Sequence, residues 1–132
     1  MSKQNPTVLV IEDETLLLRA ICKKLELNGI ATVSATSCTQ ALDYLKNLLE
    51  PPDAIWLDYY LKDMNGLAFM GILKKNPQFA NIPVFVISNS ASPEKVHHML
   101  ALGIQKYMLK AEYRLDKIIN TIKSFILKGE KR

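Results

Sequence analysis

Residues 54–58 (AIWLD) are a short apolar run that ends in a carboxylate, Asp58. Pro51 and Pro52 stand just before the run and exclude a helix that would continue into it. An apolar segment of this length between such signals is typical of a buried β-strand. Asp58 is therefore expected at the carboxyl end of a strand that is buried on both faces.

Apolar runs of the same kind alternate with amphipathic stretches along the whole chain. The predicted strands are residues 7–11, 30–35, 54–58, 82–88 and 104–109, and the predicted helices cover about 14–28, 37–50, 65–76, 92–102 and 112–127. Such alternation implies parallel strands that are joined by right-handed crossovers, with helices on both faces. The predicted fold is α/β, a flavodoxin-like (βα)5 doubly wound sheet in strand order 2-1-3-4-5.

Helix signals support this division of the chain. Ser37 with Gln40 resembles a capping box, and Ser92 followed by Pro93 resembles a helix start. Periodicity assigns several apolar side chains to the buried faces of the second and fourth helices: Ala41, Leu45, Leu48, Leu49, Val96, Met99 and Leu100.

Length and composition restrict the class of protein. The 132 residues fit one domain, and the net charge of +4 comes without a nucleic-acid recognition motif. Cys22 and Cys38 have no metal-binding or disulfide spacing and are expected to be free thiols. There is no signal segment and no apolar run of the roughly 18 residues that a membrane span needs. These features favour the cytoplasm.

Polar side chains stand where the predicted strands end. Glu12 and Asp13 follow the first strand, Asp58 ends the third, Ser88 ends the fourth and Lys110 follows the fifth. In an open parallel sheet, ligands bind at the carboxyl ends of the strands, so the fold should bring these groups together. Clustered carboxylates suit Mg²⁺, one of them can form an acyl phosphate, and a lysine can pair with the phosphoryl group.

Four segments then resemble one protein family: VLVIEDE (8–14), AIWLDYYLKDMNG (54–66), VFVISNSA (84–91) and YMLKA (107–111). Their order and spacing are similar to those of the receiver domain of two-component response regulators, the CheY-like superfamily. The resemblance covers nearly the whole chain. It implies one receiver domain over residues 1–132, with a core of about 7–127 and no output domain.

The resemblance assigns a role to each site residue. Asp58 would be the phosphoacceptor, and Glu12, Asp13, Asp58 and the backbone carbonyl of Tyr60 would bind Mg²⁺ or Mn²⁺. The phosphoryl-binding and switch residues would be Ser88, Asn89, Lys110 and Tyr107. Tyr60 and Ser90 match the variable positions that tune dephosphorylation.

The chain departs from the family pattern at several positions. Lys62 and Ala111 stand where proline is usual, Ser88 replaces threonine, and Asn89 replaces a small residue. In the family the peptide bond after the conserved lysine is cis, whereas a cis bond before alanine costs about 2.5–4 kcal/mol. The sequence leaves the state of the Lys110–Ala111 bond open.

The resemblance implies a signalling protein rather than an enzyme. The chain would take a phosphoryl group from a histidine kinase or a phosphotransfer protein and would contact a downstream protein through helix 4, strand 5 and helix 5. Neither nucleic acid nor membrane is an expected partner, and an apolar patch on the last helices would permit a homodimer. The alternative is a phosphorylation-independent receiver that acts as an interaction module.

A phosphatase or a nucleotide-binding enzyme fits less well. The phosphatase pattern needs an aspartate where Tyr60 stands, and no glycine-rich loop follows the first strand.

Overall fold

The computed structural model describes residues 5–90 and 92–130, which form five parallel strands that alternate with five helices. The strands are β1 (Thr7–Ile11), β2 (Ala31–Ala35), β3 (Ala54–Asp58), β4 (Val84–Ser88) and β5 (Lys106–Leu109). The helices are α1 (Thr15–Leu27), α2 (Cys38–Asn47), α3 (Gly66–Lys75), α4 (Pro93–Ala101) and α5 (Leu115–Glu130). The sheet order is β2-β1-β3-β4-β5, so the predicted fold class is confirmed.

Strand β3 lies at the centre of the sheet, and all five of its residues are buried. Its side chains alternate between two cores, as the two-residue period of a strand requires. Ile55 and Leu57 pack in the core on the side of α2, α3 and α4, whereas Trp56 packs in the core on the side of α1 and α5. Asp58 is in register with Ile87 of β4, so the two strands end side by side.

The predicted helix starts are confirmed. The Ser37 hydroxyl accepts a hydrogen bond from the Gln40 backbone N–H, and the Ser92 hydroxyl accepts one from Lys95 N–H. The Gln40 side chain reaches back to the backbone N–H of Thr36, one residue earlier than a standard capping box predicts.

Two buried-face predictions were wrong. Helix α2 ends at Asn47 and the chain becomes extended at Leu48, so Leu49 lies beyond the helix and is fully exposed. In α4 the buried face is narrow: Met99 is buried, while Leu100 next to it is 49% exposed.

The observed boundaries of β5 and α5 also differ from the predicted ones by two or three residues. The strand begins at Lys106 rather than at residue 104. Helix α5 begins at Leu115 rather than at residue 112, because the backbone N–H groups of Glu112 and Tyr113 both donate to the Leu109 carbonyl and form a turn.

No helix within residues 5–90 and 92–130 combines the length and the apolar character that crossing a membrane requires.

Gly66, at the start of α3, should tolerate no larger residue. A Cβ atom there would lie 2.8 Å from Tyr59 Cδ2 and 3.1 Å from Met99 Cε. Gly66→Ala should therefore lower the free energy of unfolding by about 1–3 kcal/mol through overpacking. Gly71 lies in the same helix, and a Cβ atom added there would meet no atom within 4 Å, so Gly71→Ala should raise stability by up to about 1 kcal/mol. Urea denaturation followed by circular dichroism compares the two, and equal effects would contradict this account.

Candidate functional site

Three carboxylates meet at the carboxyl edge of the sheet. Glu12 and Asp13 follow β1, and Asp58 ends β3; one oxygen atom of each lies within 4.8 Å of the others. Glu12 and Asp58 are buried, and Asp13 is half-buried. The meeting follows from the sheet order, because β1 and β3 are neighbours and both end at this edge.

Glu12 is held in place by the backbone around it. Its N–H donates to the Ala35 carbonyl at 3.0 Å, and its Oε2 accepts from the Glu14 N–H at 3.1 Å, just before α1 begins. The carboxylate therefore cannot turn away from Asp58 without losing a hydrogen bond.

The cluster disfavours ionisation of Asp58. Burial and the Glu12 carboxylate raise the pKa of Asp58 to about 6, although Lys110 and the Tyr60 N–H oppose the shift. Like charges that are held together in a partly buried site repel one another unless a cation or a proton relieves them. The arrangement can therefore bind a cation, and oxygen ligands of this type fit Mg²⁺.

Lys110 supplies a positive charge next to the cluster. Its Nζ lies 3.3 Å from Glu12 Oε1 and 3.7 Å from Asp58 Oδ2. Its backbone N–H donates to the Ser88 carbonyl at 2.8 Å. No peptide bond in the described part of the chain is cis, so the Lys110–Ala111 bond is trans, and the ammonium group still reaches the carboxylates.

The residues after β4 form hydrogen bonds with one another. Ser88 is fully buried, and its hydroxyl donates to the Ser90 carbonyl at 3.0 Å. The Tyr107 hydroxyl donates to the same carbonyl at 2.9 Å, and burial raises the pKa of Tyr107. Asn89 is exposed. The structure therefore links Ser88 to Tyr107 through one shared acceptor. The Ser88 hydroxyl is bonded within the β4–α4 loop, to the residue two positions further on.

Tyr60 reaches across from the β3–α3 loop to the β4–α4 loop. Its N–H donates weakly to Asp58 Oδ1 at 3.4 Å, and its hydroxyl accepts from Ser90 Oγ at 3.2 Å. Its ring is about half exposed.

Two residues near the site were missed by the sequence reasoning. Lys95 of α4 contacts the rings of Tyr59 and Tyr60. Asp63 accepts hydrogen bonds from the N–H groups of Cys38 and Thr39, at 3.1 and 2.8 Å, and from the Thr39 hydroxyl. The β3–α3 loop is thus tied to the start of α2. Their partners lie 24 or more residues away along the chain, and no local pattern in the sequence signals them.

Comparisons with known proteins agree on one family. The model of the response regulator receiver domain matches residues 8–123. "Two-component response regulator ORR8" of Oryza sativa subsp. indica is 30% identical over 106 residues, which cover 80% of this chain and 87% of that protein. "Phosphate regulon transcriptional regulatory protein PhoB" of Klebsiella pneumoniae is 34% identical over 104 residues, which cover 78% of this chain and 44% of that protein.

Solved structures give the same result. The receiver domain of the Francisella response regulator 1452 superposes with a TM-score of 0.83 at 29% identity, over 95% of this chain and 99% of that one. The phosphorylated cyanobacterial phytochrome response regulator RcpA superposes with a TM-score of 0.82 at 24% identity, over 95% of this chain and 96% of that one. At that identity RcpA supports the fold alone.

Asp58→Asn should stabilise the protein when no divalent cation is present. The folded-state pKa of about 6 lies above the ordinary 3.8, so ionisation of Asp58 favours the unfolded chain as pH rises through that window. At pH 7.5 in a chelator the variant should gain on the order of 1–3 kcal/mol, and the gain should vanish towards pH 4. Urea denaturation at both pH values measures this. Asp43→Asn removes an exposed carboxylate from α2 and is the control; an equal gain there would contradict the assignment to the cluster.

Asp63→Ala should weaken the start of α2. It removes acceptors for two backbone N–H groups and a hydroxyl, a loss of about 1 kcal/mol by analogy with helix caps. Asp63→Asn keeps one acceptor oxygen and should lose less. Slight burial acts to raise the pKa of Asp63, but the hydrogen bonds from Thr39 and Cys38 lower it overall. The stabilisation is therefore complete above the unfolded pKa and lost as pH falls through the folded one. Thermal melts at pH 7 and pH 3 should show the difference from wild type shrinking in acid.

Proposed function

This chain belongs to the response regulator receiver family, and on that premise we propose that it accepts a phosphoryl group on Asp58. The donor would be the phosphohistidine of a histidine kinase or a phosphotransfer protein. One observation carries the proposal: the Asp58 carboxylate lies at the carboxyl edge of the sheet, close to two further carboxylates and to the Lys110 ammonium group.

In the transfer step, an oxygen of Asp58 attacks phosphorus while the P–N bond to the donor imidazole breaks. The bonding electron pair stays on the donor nitrogen, and an acyl phosphate forms on Asp58. Although burial raises the pKa of Asp58 to about 6, the group is ionised at neutral pH and remains a nucleophile. The protein's remaining task is to position the groups and to neutralise charge.

Lys110 and Ser88 would receive the phosphoryl oxygens. The Lys110 ammonium group already lies 3.7 Å from Asp58 Oδ2 and can pair with an oxygen of the new phosphoryl group. The Ser88 hydroxyl would leave the Ser90 carbonyl and donate to a second oxygen. Exposed Asn89 stands beside this position and would influence access to it.

The acidic residues would hold the metal ion. Glu12, Asp13 and Asp58, with the backbone carbonyl of Tyr60, offer the hard oxygen ligands that Mg²⁺ or Mn²⁺ prefers. A bound divalent ion would neutralise charge on the carboxylates and on the phosphoryl oxygens. One lysine beside three carboxylates leaves the cluster acidic, and this supports a need for such an ion.

The output would be a change of surface. The hydroxyls of Ser88 and Tyr107 both donate to the Ser90 carbonyl. Once the Ser88 hydroxyl turns to the phosphoryl group, Tyr107 would be the one of these two that still donates to it. Tyr107 lies on β5, which packs against α4. A change at Tyr107 would therefore reach the face of α4, β5 and α5, where a downstream protein or a second copy would bind. The chain would act in the cytoplasm, without direct contact to nucleic acid, and it would promote only its own phosphorylation and dephosphorylation.

Mass spectrometry of the intact protein tests the phosphoacceptor. After incubation with a small phosphodonor and Mg²⁺, wild type should gain one phosphoryl group, and Asp58→Asn should gain none. A chelator should abolish the gain, and Asp43→Asn should behave like wild type.

A gain of equal size in Asp58→Asn would contradict the assignment. No gain in wild type, under conditions that phosphorylate a known receiver, would favour the phosphorylation-independent module. Lys62 and Asn89 depart from the family pattern, and these departures are the reason to test that alternative.

A further inference from the structure

The side chains of Tyr60 and Ser90 bridge the two loops that flank the phosphoacceptor. Strands β3 and β4 are neighbours, and they end at Asp58 and Ser88. Tyr60 stands two residues after Asp58, and Ser90 stands two residues after Ser88. Because their hydroxyl oxygens are 3.2 Å apart, the Tyr60 side chain spans the gap between the loops that follow these two strand ends.

Lys95 of α4 holds this bridge from the outside. Its Nζ lies 4.4 Å from the ring centroid of Tyr60 and 4.7 Å from that of Tyr59, and it donates a hydrogen bond to the Tyr60 hydroxyl. Tyr59 is buried and contacts the Tyr60 ring edge to face, with centroids 4.8 Å apart. The Tyr60 side chain is thus contacted by an ammonium group and by a buried ring that also contact each other.

We propose that Lys95 is a positioning residue that keeps the Tyr60 side chain across the entrance to Asp58 and thereby slows hydrolysis of the phosphoryl group. The inference rests on the proposed function of Asp58. In the hydrolysis step a water oxygen attacks phosphorus and the bond from phosphorus to the Asp58 oxygen breaks. The electron pair returns to the carboxylate, and the water's proton leaves with inorganic phosphate or to solvent. A ring across the entrance limits the approach of that water.

The position of Lys95 gives the bridge a link to the rest of the molecule. The residue lies in the first turn of α4, and its backbone N–H is bonded to the cap residue Ser92. Because α4 belongs to the proposed output face, a partner that displaces the Lys95 side chain would also release Tyr60. Contact with the partner and lifetime of the phosphoryl group would then be coupled through one ammonium group.

The lifetime of phosphorylated protein measures this directly. Wild type, Lys95→Met and Lys95→Arg are loaded with a small phosphodonor and Mg²⁺, the donor is removed by desalting, and the loss of the phosphoryl mass is followed over time. Lys95→Met keeps the aliphatic stem but loses the cation, and it should hydrolyse about two- to fivefold faster, the factor expected for an exposed cation–π contact. Lys95→Arg keeps a cation over the rings and should stay close to wild type.

Two further variants separate positioning from general effects. Lys62→Met removes an exposed ammonium group from the same β3–α3 loop that carries Tyr60, and it should leave the lifetime unchanged. Tyr60→Ala should itself speed hydrolysis, and in that background Lys95→Met should add no further acceleration, since the two residues act as a unit. Thermal melts of Lys95→Met and Lys62→Met check that both variants remain folded at the temperature of the lifetime measurement.

Each outcome of these measurements either supports or overturns the inference. An unchanged or longer lifetime in Lys95→Met overturns the inference, and so does an equal acceleration in Lys62→Met or an additive one in the Tyr60→Ala background. If the wild-type protein takes up the phosphoryl group and Lys95→Met then loses it at the same rate as wild type, only this inference fails. If wild type takes up no phosphoryl group, the proposed function fails and this inference fails with it.

Discussion

The repulsion between Glu12 and Asp58 is the constraint on which the site depends. Neighbouring parallel strands end at one edge, so the sheet order itself brings the two carboxylates together in a place with little water. Burial and this repulsion raise the pKa of Asp58 to about 6. A mutation that relieved the repulsion would make the fold more stable and the site less able to bind a cation, so stability and function are opposed here.

The surrounding contacts limit this repulsion without removing it. Lys110 lies within ion-pair distance of both carboxylates, and Glu12 is fixed by the N–H of Glu14. The β3–α3 loop is held from outside through Asp63. These contacts restrain the positions of Glu12 and Asp58, and fixed ligands would favour the proposed transfer, because misplaced ligands would have to reorganise at the moment of reaction.

The parts that depend on local pattern could be predicted from the sequence. Five apolar runs predicted the strands of the sheet. The rule that parallel strands end at one edge was enough to predict that Asp58, Glu12 and Lys110 lie close together. Side chains at helix ends were harder, because Leu49 and Leu100 fit the helical period but lie beyond the last turn or off the buried face. Lys95 and Asp63 could not be predicted, since each acts on residues that only the folded chain brings near.

The Lys110–Ala111 junction shows why a departure from a family pattern need not disable a site. The bond is trans, so the chain does not carry the cost that a cis bond before alanine would impose. Lys110 is placed instead by its backbone hydrogen bond to Ser88 at the end of β4, and its long side chain spans the remaining distance. The ammonium group therefore lies near Asp58 with alanine and a trans bond after it, and the alanine gives no physical reason to prefer a phosphorylation-independent module. Such a reason would have to come from the two loops, where Lys62 and Asn89 are exposed and lie outside the sheet.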